Sequence, residues 1–318
     1  MLCLCLSIAA TTAAEAGQGK KPKPAAKKSA AAAVNVEAVQ TQVMLDRAGY
    51  SPGEIDGSIG TGTRRALEAF TKNGGSADAL PADAITTYKI TAEDAAGPYV
   101  PDIPEDMVEK SKFKSLGYKN LLEALGERFH SSPTLLKRLN PTATFVEGEE
   151  IKVPNVTAAV EPAAAPRGGQ PDAGSPASPT PGVTTVTVRK STSDMTVTDG
   201  SGRTLMYAPV TTGSENDPLP LGEWKVNGVQ KNPTFHYNPK LFWDADPTHS
   251  KALIPAGPNN PVGVVWVDIS KPHYGLHGTP EPATVGKTSS HGCVRLTNWD
   301  ALKLATLVKP GTKVVFAE

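Results

Sequence analysis

The sequence has no excess charge of either sign: 32 Lys and Arg stand against 32 Asp and Glu, a formal net charge of zero. No global field is therefore available to draw in nucleic acid or an anionic membrane surface, and the partner has to be read from individual sites. Long apolar runs are lacking too. Only Met1 to Ala10 is continuously apolar or small, far short of the roughly 20 residues that cross a bilayer. Small residues follow it, with Ala14-Glu15-Ala16 in the A-x-A form of a signal-peptidase site, so residues 1–16 are expected to be a secretory signal; the alternative is an Ala-rich tail. Cysteine is scarce as well, at positions 3, 5 and 293. Removal of a signal would take Cys3 and Cys5 with it and leave Cys293 without a disulfide partner. A lone thiol in an oxidising compartment argues for intermolecular pairing or for reactivity.

What is present falls into blocks. A chain of 318 residues has room for two or three modules. Residues 17–33 are Ala-rich, with Lys20, Lys21, Lys23, Lys27 and Lys28, a composition that cannot bury a core and predicts a disordered tether. Residues 157–182 combine Pro, Ala, Gly and Ser and predict an extended linker that divides the chain into two halves. Before the linker, apolar residues at helical spacing (Val36, Val39, Val43, Met44), a glycine-rich stretch from Gly49 to Gly62, and a second run through Ala66, Leu67 and Phe70 predict helix, loop, helix over 34–75. Over 113–156, Leu121, Leu122, Leu125 and Phe129 lead through Ser131-Ser132-Pro133, a helix start, to Leu135, Leu136 and Leu139, and then to a short strand at Ile151 to Val153. After the linker the period drops to two: Thr185 to Val188 alternate, and Met195 to Thr198 and Thr204 to Tyr207 flank Asp199-Gly200-Ser201-Gly202, a hairpin signal. Val262 to Ile269 and Val314 to Phe316 add strands, and one short helix runs from Asn298 towards Val308. Residues 183–318 thus predict a mainly-β domain, a sandwich or barrel-like core with a short helix.

Chemistry is concentrated near the end, in His277-Gly278-Thr279-Pro280 and Ser289-Ser290-His291-Gly292-Cys293-Val294-Arg295. A thiolate is the reacting form of cysteine, and a neighbouring imidazole can take the thiol proton; His277 and His291 are the candidates. Gly292 allows close backbone approach, so that N–H groups around Cys293 could hold an oxyanion. A zinc site on His273, His277, His291 and Cys293, or a buried structural thiol, are the competing readings.

The run from His277 to Leu296, His-Gly-Thr followed by Ser-His-Gly-Cys-x-Arg, resembles the signature of the YkuD-type L,D-transpeptidases, with Pro220-Leu221-Gly222-Glu223-Trp224 upstream. That resemblance implies a YkuD-type mainly-β catalytic domain and a secreted, periplasmic cysteine enzyme that needs no metal or other cofactor. It implies Cys293 as nucleophile, His277 as base and then acid, the Gly278 carbonyl as the group orienting the imidazole, and His291, Gly292 and Cys293 as oxyanion donors. Ser290 would support the loop, and Arg295 would hold the site or pair with a substrate carboxylate; apart from the resemblance, the aromatics from Phe235 to Trp243, around Tyr237, are candidates to line the substrate groove, with core or loop packing as the alternative. The implied partners are peptidoglycan stem peptides and glycan, with an amine acceptor from a second stem or from an outer-membrane lipoprotein. With water as acceptor the outcome is an L,D-carboxypeptidase. The pattern Gly49-Tyr50-x-Pro52-Gly53-x-Ile55-Asp56-Gly57 through Phe70 resembles a small peptidoglycan-binding domain, and residues 113–156 resemble a LysM module. Together these imply a multidomain wall enzyme, or a wall-binding protein with weak catalysis. His236 and His249 are assigned no part.

Overall fold

A computed structural model describes residues 33–78, 80–156 and 184–318. The expected signal, the linker, and the tether apart from Ala33 lie outside the described residues.

The N-terminal part begins as the spacing predicts. Helix α1 (Val36–Arg47) is capped by Asn35, whose side chain accepts from the Ala38 N–H at 3.1 Å, and α2 (Thr61–Lys72) follows the glycine-rich loop. Next come β1 (Ile85–Lys89), α3 (Ala92–Ala96), α4 (Met107–Lys110), α5 (Leu121–Arg128), α6 (Pro133–Leu139) and β2 (Glu150–Pro154). Ser132 caps α6 with Pro133 in its first turn, as Ser-Ser-Pro implies. Strand β1 lies well before the boundary at 113 drawn from sequence. It pairs antiparallel with β2 from Ile85↔Pro154 to Lys89↔Glu150, so this module starts near residue 84 and encloses α3 to α6. Its five residues, Ile-Thr-Thr-Tyr-Lys, are exposed or half-buried throughout and carry no apolar alternation to announce them.

The C-terminal part holds β3 (Thr185–Arg189), β4 (Asp194–Thr198), β5 (Thr204–Pro209), β6 (Gly222–Lys231), β7 (Phe235–Tyr237), β8 (Ala252–Ile254), β9 (Val265–Ile269), β10 (Gly275–His277), β11 (Val294–Arg295), helix α7 (Asn298–Leu307) and β12 (Lys313–Ala317). A sandwich or barrel-like core was expected; the structure forms one curled eight-stranded sheet in the order β11-β10-β9-β6-β12-β3-β4-β5, with β7-β8 as a separate hairpin. The curl nearly closes. Thr211, just past β5, bridges Arg295 of β11, with Thr211 N–H to Arg295 O at 3.0 Å and Arg295 N–H to Thr211 O at 2.9 Å, so the two outer strands of the order meet. One-sided alternation places Val186, Val188, Val197, Val267, Leu276 and Val294 in a single core, which Ala301 and Leu304 of α7 cover. Thr297 rather than Asn298 caps α7, accepting from the Asp300 N–H at 3.1 Å.

The two halves are not held apart. Residues 33–318 form one compact unit. Tyr50 packs edge-on to Phe70 and against Tyr207 of β5, and the Ser51 hydroxyl donates to the buried Asp300 carboxylate at 2.8 Å. The Tyr207 N–H donates to Gly49 O, and the Ser51 N–H to Tyr207 O, both at 2.9 Å. His130 stacks on Trp299 of α7 at 5.0 Å. The parts on either side of the Pro- and Ala-rich linker thus cover each other's apolar faces.

Candidate active site

Parallel pairing of β10 and β11 brings the two motifs together. Leu276 lies opposite Val294 and His277 opposite Arg295. Leu276 and Val294 face the core, so by alternation His277, Cys293 and Arg295 share the other face. That face opens into a cleft of about 920 Å³, and these three residues line it with Ser290, His291 and Tyr237.

The imidazole is held by two neighbours. His277 is buried, Nδ1 lies 2.6 Å from the carbonyl oxygen of Gly278, and Trp266 stacks on the ring at 5.5 Å. A carbonyl can only accept, so Nδ1 carries the proton and Nε2 is left as an acceptor. Burial, opposed by the Gly278 carbonyl and reinforced by the Arg295 charge, brings His277 down to about 4. Burial also raises the Cys293 thiol to about 11, against the Gly275 backbone and Arg295, both of which favour the thiolate. At neutral pH the resting pair is therefore thiol and neutral imidazole. The Cys293 S–H donates to the carbonyl of His273 at 3.8 Å, and that residue has φ +68°.

The loop that leads into Cys293 is braced. The Ser290 hydroxyl donates to Cys293 O at 2.5 Å, the Ser290 N–H to Thr212 O at 2.9 Å, and the Ser214 N–H to Ser290 O at 3.0 Å. Gly292 has φ +98°, and a Cβ there would stand 2.6 Å from the Tyr274 ring, so both conformation and space require glycine. Among the described residues the N–H groups of His291, Gly292 and Cys293 donate to no backbone or side-chain acceptor. A Cβ on Gly278 would fall 2.1 Å from Asn298 Oδ1, an atom that accepts the Val264 N–H at 3.1 Å; Asn298 thus packs directly behind the carbonyl that meets His277.

Some contacts were not foreseen. The His291 ring pairs with Asp244 at 2.8 Å and meets the Phe242 ring at 5.1 Å. His249, given no part from sequence, bridges Asp106 and the Tyr237 hydroxyl. Tyr237 itself is 5% exposed, so most of its ring packs inside the protein. His236 is exposed. No three His, Cys, Asp or Glu side chains among the described residues converge as metal ligands, and His277 Nδ1 is already occupied by Gly278.

One cleft thus carries Cys293 and His277 beside three N–H groups that have no protein acceptor among the described residues, the components that a cysteine acyl-transfer site requires. Residues 183–316 match the family model of the L,D-transpeptidase catalytic domain, YkuD. YkuD of Bacillus subtilis is 32% identical over 114 residues, which make up 36% of this chain and 54% of that protein. YbiS of Escherichia coli is 34% identical over 119 residues, 36% of this chain and 38% of its own length. Both bear names that assign them to the L,D-transpeptidases, and the chain spans about half or less of each. Among solved structures, an L,D-transpeptidase from Mycobacterium smegmatis covers 43% of this chain and 59% of its own at 18% identity, with a TM-score of 0.35. The family model begins after the linker, so it does not extend to the peptidoglycan-binding-like and LysM-like parts.

Proposed function

We propose that the protein is an L,D-transpeptidase of peptidoglycan that acts outside the cytoplasm and forms its acyl-enzyme on Cys293. The observation that carries this reading is the Nδ1–Gly278 O bond, which leaves Nε2 of a neutral His277 free to accept a proton on the face that bears the Cys293 thiol. As the sulfur attacks the carbonyl of the residue before the terminal D-Ala of a tetrapeptide stem, Nε2 takes the thiol proton. Charge collects on the carbonyl oxygen, where the N–H groups of His291, Gly292 and Cys293 are available. The C–N bond breaks, Nε2 returns the proton to the departing D-Ala amine, and a thioester remains. An amine from a neighbouring stem, or from a lipoprotein lysine, then attacks the thioester. It forms the new amide and restores the thiol. Arg295, which lines the cleft, would hold a carboxylate of the stem. Bond energy conserved in the thioester means that no nucleotide or other energy source is needed.

The helical part and the α+β part before the linker are proposed as peptidoglycan-binding-like and LysM-like modules. Among the described residues no helix is long and apolar enough to cross a membrane.

Intact-protein mass spectrometry of the wild type and Cys293→Ala, each mixed with a disaccharide-tetrapeptide, tests the chemistry. A wild-type acyl adduct with D-Ala release, both lost in the variant, is expected. D-Ala release that survives in Cys293→Ala overturns it. Dimer rather than tripeptide products separate an amine acceptor from water.

A further inference from the structure

One wall of the cleft comes from outside the catalytic domain. Residues 98–117, which precede the region matched by the family model, run along the β7–β8 hairpin and the loop between its strands. At one end Leu116 is locked to the segment after β8: its N–H donates to Ala256 O at 2.9 Å and its carbonyl accepts from the Asn259 N–H at 3.0 Å. The approach is close, since a Cβ on Gly257 would fall 2.1 Å from Leu116 O. Along the segment, Ile103, Met107 and Phe113 join Tyr237, Phe242 and Ile254 in one apolar cluster.

Near the middle of the segment stands Asp106, which lines the cleft with its neighbours Glu105 and Met107. One carboxylate oxygen accepts the Glu109 N–H at 2.8 Å and so starts α4. The second lies 2.8 Å from Nε2 of His249, and Nδ1 of that ring is 3.1 Å from the Tyr237 hydroxyl. To meet a carboxylate, Nε2 must carry a proton. Tyr237 in turn packs on Phe242 at 5.6 Å, and Phe242 on His291 at 5.1 Å, two residues from the nucleophile. A carboxylate needed only as a helix cap would not require the second partner.

We propose that Asp106 is a positioning residue for the donor site: through His249 and Tyr237 it fixes the arm of residues 235–249 against the nucleophile loop and so sets how tightly the stem peptide is held. The substrate part of this rests on the stem-peptide reading above. The positioning part does not.

The test uses the full chain with Asp106→Ala, His249→Ala and the double variant. His249→Ala leaves the α4 cap intact and serves if Asp106→Ala loosens its own segment. Three readouts are taken: KM and kcat for D-Ala release from a tetrapeptide stem, the rate of Cys293 alkylation by iodoacetamide, and amide hydrogen exchange over 235–254. Each single change should raise KM roughly threefold to fivefold, the scale of a partly exposed ion pair, with kcat within about twofold. The double variant should be no worse than the singles, because both remove the same link. Alkylation should be unchanged. Exchange should quicken across 235–254 while β3 and β12 stay as in the wild type. Unchanged arm exchange, an unchanged KM in an active enzyme, or an additive double variant overturns the proposal. Should the wild type release no D-Ala while arm exchange still quickens in both single variants, the stem-peptide reading fails and the positioning role stands.

Discussion

The resting protonation state of the site gives the sharpest test, with pH as the perturbation. A thiol raised to about 11 by burial is thiolate in only about one molecule in ten thousand at pH 7. An unperturbed cysteine, with a pKa of about 8.5, is thiolate in a few per cent of molecules at the same pH. Alkylation of Cys293 by iodoacetamide should therefore run on the order of a hundredfold slower than that of an exposed reference thiol at pH 7. It should rise about tenfold per pH unit from 6 to 10 without a plateau. His277, brought down to about 4, contributes no charge in that window and should put no inflection into the profile. Rates follow from intact mass against time in a series of buffers, with the Cys293→Ala protein as the blank. A flat profile between pH 5 and 9 would show a thiolate–imidazolium pair already formed, and would refute the inference that the proton moves only when substrate occupies the cleft.

Gly292→Ala must adopt φ +98° and push into Tyr274; it should lose roughly 1–3 kcal/mol of stability and most acylation, read by denaturant unfolding and by adduct formation. His277→Gln should keep the fold but slow D-Ala release by about 10² to 10⁴, and a change of less than tenfold would remove it as the base. Ser51→Ala strands one hydrogen-bonding position of the buried Asp300 and should cost about 1–3 kcal/mol by the same unfolding measurement. Burial raises Glu127 from its ordinary value to about 7 and Asp300 to about 6. The folded state then holds protons that the unfolded chain has already released, so this contribution is complete below about pH 4 and is lost as pH rises through 6 and 7. Glu127→Gln, which mimics the protonated form, should flatten the upper part of that decline in a series of melting temperatures; an unchanged slope would place the titration elsewhere.

Much of this was legible in the sequence because it rests on local signals. Asp199-Gly200-Ser201-Gly202 does turn β4 into β5, Ser132-Pro133 does start α6, and Thr185 to Val188 do alternate into the core. Cys293, His277 and Arg295 were singled out by their motif, whereas the parallel pairing of β10 and β11 that puts them on one face is read from the structure alone. What was missed lacks periodicity. Strand β6 is the longest and lies between β9 and β12, yet Gly222 to Lys231 mixes Glu, Lys, Asn, Gly and Gln and is mostly exposed, so no apolar stripe marks it. The contact of Tyr50 with Tyr207, and the chain from Asp106 through His249 to Tyr237, join residues distant in sequence, each of ordinary type for a surface or a loop. Such partners are set by how modules dock, and a Pro- and Ala-rich linker between them carries no trace of it.

The meeting of Thr211 with Arg295 makes the sheet a hoop, and the Cys293 thiol sits at its clasp. Such a hoop is fastened late, because β11, only two residues long, has little pairing of its own to hold it early. Refolding should then recover most of the sheet's signal before it recovers the guarded thiol and the substrate cleft. A chain caught before fastening would look nearly native to a probe of strand content while lacking any site at all.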